Sequence, residues 1–128
     1  MTTAPYLALD FGDRHIGVAI SEPETEFIFP RETLEVRDEE EAMVKVIDLV
    51  EAIRPLALIV GNPLTLHGDV GHQAAKVEAF VERLRPRLPC PVHLFDERMT
   101  SDHGEDHGRA AVRILESYLS QLKWSGSV

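Results

Sequence analysis

The sequence is poor in cysteine and has no long apolar run. Its one cysteine, Cys90, lies between two prolines and cannot form a disulfide within the chain, so a reducing cytoplasm is the expected compartment. No apolar run approaches the roughly 20 residues that a membrane-spanning helix needs. The opening segment MTTAPYLALD lacks a basic region followed by a long apolar stretch, so we expect no secretory signal. These deficits exclude a disulfide-held scaffold and predict a cytoplasmic chain with no membrane partner.

The chain also has fewer basic residues than acidic ones. The chain carries 13 Lys and Arg against 22 Asp and Glu, a net charge of −9, which argues against a surface that binds phosphates everywhere. The acids are concentrated, however, because residues 22–51 hold eleven acids and three bases, whereas residues 76–123 hold eight of each. The arginines of the second half therefore form either a basic face for nucleic acid or solvated helix surface, and the acidic segment is either a partner surface or a solvated helix face.

The chain is long enough to form a hydrophobic core, and its sequence predicts a definite order of strands and helices. Its 128 residues suit one domain, residues 1–128. Apolar residues alternate near the start and recur at helical spacing later. The predicted strands cover residues 6–10, 15–21, 27–34, 56–60 and 91–95, and the predicted helices cover 38–54, about 70–85 and 109–122.

This order of elements predicts a fold class. Short turns between the first three strands favour antiparallel pairing, and helices between the later strands favour parallel pairing with right-handed crossovers. The prediction is an α/β protein whose mixed five-stranded sheet has three antiparallel and then two parallel strands, with helices on both faces. The ribonuclease-H-like fold has this composition.

Acidic residues follow two of the predicted strands. Asp10 ends the apolar strand that begins at Tyr6, and Asp96 and Glu97 follow the last strand. Both positions are carboxyl ends, where open α/β sheets bind their ligands. Carboxylates brought together repel each other, and hard divalent cations such as Mg²⁺ or Mn²⁺ relieve that repulsion. Two such ions can activate a water and stabilise the leaving oxygen in phosphodiester cleavage, which makes a metal-dependent nuclease a candidate.

Each acid also has a simpler explanation. Asp10 can cap the turn at Gly12, and the acids after the last strand can pair with Arg14 or Arg98. Segment 101–108, which holds three acids and two histidines, can be a solvated loop, and alone it is weak evidence for a metal. The metal interpretation rests on the convergence of these acids.

Four segments together resemble the motifs of the YqgF/RuvX family, in chain order. They read LALDFGDRHIGVAI, IVGNPLTLHGDVG, DERMT and AAVRILESYL. The DERMT segment and the GNPL loop with its following Gly68 are the specific parts, and the match covers nearly the whole chain. Members of this family are described as Holliday junction resolvases or pre-16S rRNA nucleases. The resemblance implies a ribonuclease-H-like fold, a divalent-metal nuclease and a bacterial cytoplasmic setting.

The resemblance also implies roles for individual residues. Asp10 matches the first metal-binding acid of the family and Glu97 matches the second. Arg98 and Thr100 match the neighbours of that second acid, which contact phosphate or steady the site. Asn62 stands where the family commonly has a small or apolar residue.

The third acid of the family is where this chain departs from the pattern. It should lie four residues before the second alanine of the pair that ends at Ala111, and that position is His107. Either the neighbouring Asp106 serves instead, or His107 serves itself, since neutral imidazole is a ligand for Mn²⁺, or the site is incomplete. The segment between DERMT and the last helix is also shorter than usual, which leaves substrate engagement open.

The leading hypothesis is a Mg²⁺- or Mn²⁺-dependent nuclease that acts on structured nucleic acid, with 16S rRNA 5′-end maturation as its process. Asp10, Glu97 and either Asp106 or His107 are predicted to hold the metal. The candidate phosphate contacts are Arg14, Lys76, Arg98, Thr100 and Arg109.

Three other functions stay open from the sequence. A Holliday junction resolvase or DNA-repair nuclease fits the same residues, and a resolvase would need a homodimer to cut symmetrically, so the chain is expected to be a monomer or a homodimer. An inactive interaction module fits the histidine and the short segment. The third open function is phosphotransfer. The first motif also resembles the phosphate-binding hairpin of the actin and sugar-kinase superfamily, but those proteins use two such domains.

Overall fold

The computed structural model describes residues 4–23, 25, 27–62, 72–96 and 107–125. The strands are β1 (Tyr6–Phe11), β2 (His15–Ser21), β3 (Ile28–Glu35), β4 (Ala57–Asn62) and β5 (Val92–Asp96). The helices are α1 (Glu39–Ile53), α2 (His72–Leu84) and α3 (His107–Ser125), and a 3₁₀ turn (Arg85–Arg87) follows α2. The predicted order of elements is therefore confirmed.

The five strands form one mixed sheet in the order β3-β2-β1-β4-β5. The β1–β2 and β2–β3 pairs are antiparallel, and the β1–β4 and β4–β5 pairs are parallel. Three antiparallel strands are thus followed by two parallel ones, as predicted. Because β1, β4 and β5 run in one direction, their carboxyl ends meet at one edge, called the carboxyl edge below.

Helices cover both faces of the sheet, because the alternating side chains of β1 are buried on either side. Leu7 and Leu9 pack in one core with α1 and α2, whereas Ala8 packs in a second core with α3. Small residues on the α3 side let that helix approach the sheet closely. Asp10 shares the α3 side with Ala8, and Phe11 shares the α1/α2 side with Leu9.

Helix α1 begins and ends as its sequence predicts. The side chain of Asp38 accepts a hydrogen bond from the Glu41 backbone N–H at 2.8 Å, and the Glu41 carboxylate accepts one from the Arg37 backbone N–H at 2.7 Å. This arrangement resembles a capping box, except that the glutamate carboxylate accepts from the backbone N–H of the residue before the N-cap instead of from that of the N-cap itself. At the other end Arg54 adopts a left-handed conformation with φ of 54°, because Pro55 disfavours the right-handed helical region for the residue before it.

Most element boundaries differ from the prediction by one to three residues, and two of these differences bear on the site. Helix α3 already includes His107 and Gly108, ahead of the predicted start at residue 109, because the contacts of His107 with β1 and β2 hold this turn against the sheet and override the low helix propensity of glycine. Strand β4 extends through Asn62 rather than ending at residue 60, because Asn62 pairs with Asp96 of β5. The predicted start of α2 near residue 70 lies outside the described residues.

None of the helices in the described part of the chain combines the length and the apolarity that crossing a membrane requires.

Candidate active site

The Asp10 carboxylate lies at the carboxyl edge, in the middle of the sheet. Its strand β1 has β2 on one side and β4 on the other, and the residue is only 7% exposed. Burying an ionised carboxylate is costly unless a partner compensates the charge. The position of Asp10 therefore requires a hydrogen-bond donor or a cation beside it.

His107, the first residue of α3, supplies that partner. Its Nδ1 atom lies 2.5 Å from the Asp10 Oδ2 atom. With a proton on Nδ1 the imidazole donates a hydrogen bond to the carboxylate, and without that proton the same nitrogen is free to bind a metal. The topology thus brings together two residues that are 97 positions apart in sequence.

Two glycines of the β1–β2 hairpin make room for His107. A Cβ atom on Gly17 would lie 1.9 Å from the His107 carbonyl oxygen, and one on Gly12 would lie 2.5 Å from the His107 Nε2 atom. Both distances are shorter than real Cβ contacts. At Gly17 the obstacle is the backbone of α3, so that position requires glycine, whereas a Cβ at Gly12 would displace the His107 ring. We call this pair, Gly12 and Gly17, the glycine seat.

The hairpin also holds a second imidazole beside His107. The Gly12 backbone N–H donates to the His15 carbonyl oxygen at 2.7 Å and closes the turn. The His15 ring lies nearly parallel to the His107 ring, with an interplanar angle of 14° and centroids 6.4 Å apart. On its outer side the His15 Nε2 atom is 3.6 Å from the Glu35 carboxylate. The His107 ring therefore has the glycine seat on one side and His15 nearby.

The other predicted site residues are distributed differently. Arg14 is exposed in the β1–β2 turn, and Arg109 is exposed two residues after His107 in α3. Lys76 is exposed on α2, which packs on the opposite face of the sheet from Asp10. The remaining predicted residues lie outside the described part of the chain: Glu97, Arg98, Thr100 and Asp106.

Comparisons with known proteins identify the family of this chain. The family model described as "RuvX: Holliday junction resolvase" matches residues 4–121. This chain belongs to the RuvX family.

Curated relatives of this RuvX-family chain carry the name "Putative pre-16S rRNA nuclease". The protein from Roseiflexus sp. is 40% identical over a match that covers 74% of this chain and 67% of the relative. The Chloroflexus aurantiacus protein is 42% identical, with 74% and 62% covered, so the match spans under two thirds of that relative's length. The Desulforudis audaxviator protein is 34% identical, with 91% of this chain and 94% of the relative covered.

Solved structures show the same fold at low sequence identity. Thermus thermophilus RuvC, solved in complex with a Holliday junction substrate, superposes with a TM-score of 0.69, 12% identity and coverage of 96% and 97%. The fowlpox virus Holliday junction resolvase superposes with a TM-score of 0.56, 11% identity and coverage of 92% and 99%. These likenesses confirm the RuvC-like, ribonuclease-H-like fold of the RuvX-family chain.

Asn62 is a polar residue of the carboxyl edge that the sequence did not single out as a site residue. Its side chain is buried on the α1/α2 side, where its Nδ2 atom donates to the Glu78 carboxylate at 3.0 Å. Its Oδ1 atom is buried and has no hydrogen-bond partner among the described residues. An amide at the end of the apolar strand LALIVGN was the signal available in the sequence, since a buried amide needs partners.

The alternation of side chains along β5 places Asp96 on the opposite side of the sheet from Asp10. Val92 and Leu94 belong to the α1/α2 core, whereas Phe95 belongs to the α3 core. Asp96 therefore shares the α1/α2 side with Asn62, and not the α3 side on which Asp10 lies. Asp96 is consequently a poor candidate for sharing an ion with Asp10.

The Asp10–His107 pair fits a divalent cation in part. A buried carboxylate oxygen and an imidazole nitrogen form a mixed donor set that suits Mn²⁺ or another transition ion better than Mg²⁺, which prefers oxygen ligands alone. Among the described residues no group of three or more His, Cys, Asp and Glu side chains could hold a metal. Further ligands would have to come from beyond these residues.

Proposed function

We propose that this chain is a divalent-metal-dependent nuclease that hydrolyses phosphodiester bonds in structured RNA, with the 5′ end of precursor 16S rRNA as its substrate. Its membership of the RuvX family and the naming of its relatives support the nuclease class. The observation that carries the proposal is the contact between Asp10 and His107 at the carboxyl edge of the sheet.

The proposed metal ligands are Asp10, His107, Glu97 and Asp106. The buried carboxylate of Asp10 and the nearby imidazole of His107 supply two donors of a suitable kind. The family resemblance supplies Glu97, and Asp106 immediately precedes His107. A divalent cation bound by these groups supplies Lewis-acid activation of water and neutralises charge on the phosphate.

The chain's own residues orient the site and the substrate. The glycine seat keeps the imidazole beside the carboxylate, so the two candidate metal ligands lie together at the carboxyl edge. Arg14, exposed in the turn after β1, and Arg109, exposed two residues after His107, are the proposed phosphate contacts, together with Arg98 and Thr100. A basic rim of this kind offsets locally the repulsion between nucleic acid and a chain with a net charge of −9.

Two further properties belong to the proposal. The chain acts in the cytoplasm, where the ribosomal RNA precursors of bacteria are made and where a lone cysteine stays reduced. It works as a monomer on RNA, whereas symmetric cutting of a four-way DNA junction would need a homodimer.

The test is cleavage of a 5′-extended 16S rRNA precursor by the purified chain in the presence of Mn²⁺. We expect cuts near the mature 5′ end. Asp10→Asn should lower the rate by about a hundredfold or more, because it removes a charged ligand. The control is Asp48→Asn, which neutralises an exposed acid of α1 and should leave the rate unchanged.

The outcomes separate the alternatives. Cleavage of a synthetic Holliday junction without cleavage of the RNA would favour the resolvase that the family description names. If neither substrate is cut and Mn²⁺ does not bind, the chain is an interaction module. Cleavage that survives Asp10→Asn would come from a contaminant and would contradict the proposal.

A further inference from the structure

A cleft lies on the α1/α2 side of the sheet, directly behind the turn that follows Asp10. Its volume is about 420 Å³, within the range of about 300–1,000 Å³ typical of small-molecule sites. The β1–β2 turn closes one end, and the facing surfaces of α1 and α2 form its walls. We call it the helix cleft. Its lining residues include Phe11, Asp13, Lys76, Ala79, Phe80 and Arg83.

The floor of the helix cleft is aromatic and apolar. The rings of Phe11 and Phe80 meet edge to face, with centroids 4.9 Å apart and an interplanar angle of 61°. Phe80 is almost fully buried, whereas Phe11 is half-buried and exposes part of its ring. An exposed aromatic surface at the base of a cleft of this size suits a flat, weakly polar group such as a nucleobase.

Some charged side chains that line the helix cleft interact with other groups in the described part of the chain, and others do not. Arg83 and Glu39 form an ion pair at 2.6 Å, and the Asp38 carboxylate caps α1. These three groups are therefore occupied. Lys76 and Asp13 have no ion-pair partner among the described residues and are exposed, so an ammonium group and a carboxylate remain available to a ligand.

The helix cleft and the candidate active site lie on opposite faces of the sheet and share the β1–β2 turn. Asp10 and Phe11 are consecutive residues of β1 whose side chains point to opposite faces of the sheet. The turn after them both lines the cleft, through Gly12 and Asp13, and contacts His107, through Gly12. To enter the cleft, a strand with one phosphate at Asp10 has to cross this turn.

We propose that the helix cleft binds an unpaired nucleotide of the RNA substrate next to the scissile phosphate. The base lies on Phe11, Lys76 contacts the adjoining phosphate, and Asp13 accepts from an N–H group on the base edge, such as N3–H of uracil. This inference rests on the proposed nuclease function and deepens it, because it makes single-stranded RNA flanking the cut part of the recognised substrate. It also gives Lys76 a role on the face opposite Asp10.

The test measures binding of a fluorescein-labelled oligouridylate to the full chain by anisotropy, in the Asp10→Asn background so that no cleavage interferes. Ala79→Trp fills the helix cleft, and we expect it to weaken binding by about fivefold or more, the low end for one base-stacking contact. Its matched control is Ala75→Trp, which adds the same side chain to an exposed position of α2 away from the cleft and should leave the affinity unchanged.

A second variant keeps the test decisive if Ala79→Trp fails to fold. Lys76→Ala should reduce the slope of log affinity against log salt by about 0.7, the value for one phosphate contact on a single strand. Arg87→Ala, beyond the other end of α2, should leave the slope unchanged.

Equal affinities of the Ala79→Trp and Ala75→Trp chains would overturn the proposal, and so would an unchanged salt slope in Lys76→Ala or an absence of oligouridylate binding. The proposed nuclease function fails on a different result, which is cleavage by Asp10→Asn, so the two failures are distinguishable.

Discussion

In the proposed metal site, the side chain at position 107 bears on which metal is preferred. His107 occupies the position where the family pattern has an acid, and its Nδ1 atom lies against the Asp10 carboxylate. An imidazole disfavours Mg²⁺ relative to transition ions, because Mg²⁺ binds nitrogen poorly. The identity of one side chain thus separates this chain from a site built of oxygen ligands alone.

His107→Asp should therefore shift the metal preference towards Mg²⁺. We expect the ratio of cleavage rates in Mn²⁺ and Mg²⁺ to fall by about tenfold, which corresponds to about 1.4 kcal/mol of differential stabilisation. Parallel rate measurements in the two metals check this expectation. A ratio equal to that of the wild type would show that His107 is not a ligand.

Sequence reasoning reached these two residues by different routes. Asp10 stood out because a charge directly after a buried strand costs free energy unless a partner compensates it. His107 emerged only from counting back along a family motif, and the choice between it and Asp106 stayed open, since the spatial contact with Asp10 depends on packing between distant elements. The glycine seat was missed because nothing local distinguishes a glycine needed for a helix contact from one needed for a turn.

At the scale of elements, the site depends on how α3 docks on the β1–β2 hairpin. Gly12 faces the imidazole ring of His107, whereas Gly17 faces its backbone carbonyl. The two glycines therefore make different demands on the same residue, and that difference can be measured.

A double-mutant cycle separates the two glycine contacts. Gly12→Ala should destabilise the wild type by about 1–3 kcal/mol through overpacking, and this cost should disappear in a His107→Ala background because the ring is gone. Gly17→Ala should cost about the same in both backgrounds, because the backbone of α3 stays. Urea denaturation gives the free energies of unfolding. Equal costs of Gly12→Ala in both backgrounds would show that Gly12 does not make room for the His107 ring.

The start of α1 gives a pH-dependent contribution to stability. A hydrogen bond from the Arg37 backbone N–H, followed by weaker attraction to the Arg37 and Lys45 charges, holds the pKa of Glu41 below its usual value of 4.5. A carboxyl with a lowered folded-state pKa stabilises the fold fully above its unfolded pKa, and that stabilisation is lost as pH falls through the lowered value.

Glu41→Gln should therefore reduce the acid dependence of stability. We expect the variant and the wild type to differ most near neutral pH and to converge as pH falls below the usual glutamate pKa. Thermal melts between neutral and acidic pH measure this, with the exposed Glu51→Gln as the control. A difference that is independent of pH would mean that the Glu41 charge makes no contribution.

On the scale of the whole molecule, the fold class could be predicted and the complete site could not. The alternation of β1 and the helical stripes of α1 and α2 establish elements and their order, and chain connectivity then restricts the sheet to few topologies. The predicted mixed sheet and the family are both confirmed. That residues 1–128 form a single domain stays a prediction.

The assembly of the site is a property of the folded chain rather than of any segment. The contact between His107 and Asp10 requires α3 to cross the hairpin at the glycine seat, and no local propensity encodes that crossing. Glu97 and Asp106, the other proposed ligands, lie outside the described residues, so their roles stay predictions.

Pulsed EPR of Mn²⁺ bound to the full chain tests most directly whether Asp10 and His107 share an ion. We predict nitrogen coupling to the manganese that is lost in His107→Ala and retained in the exposed-histidine control His93→Ala, with binding weakened in Asp10→Asn. Nitrogen coupling that persists in His107→Ala, or no Mn²⁺ binding in the millimolar range, would contradict the account.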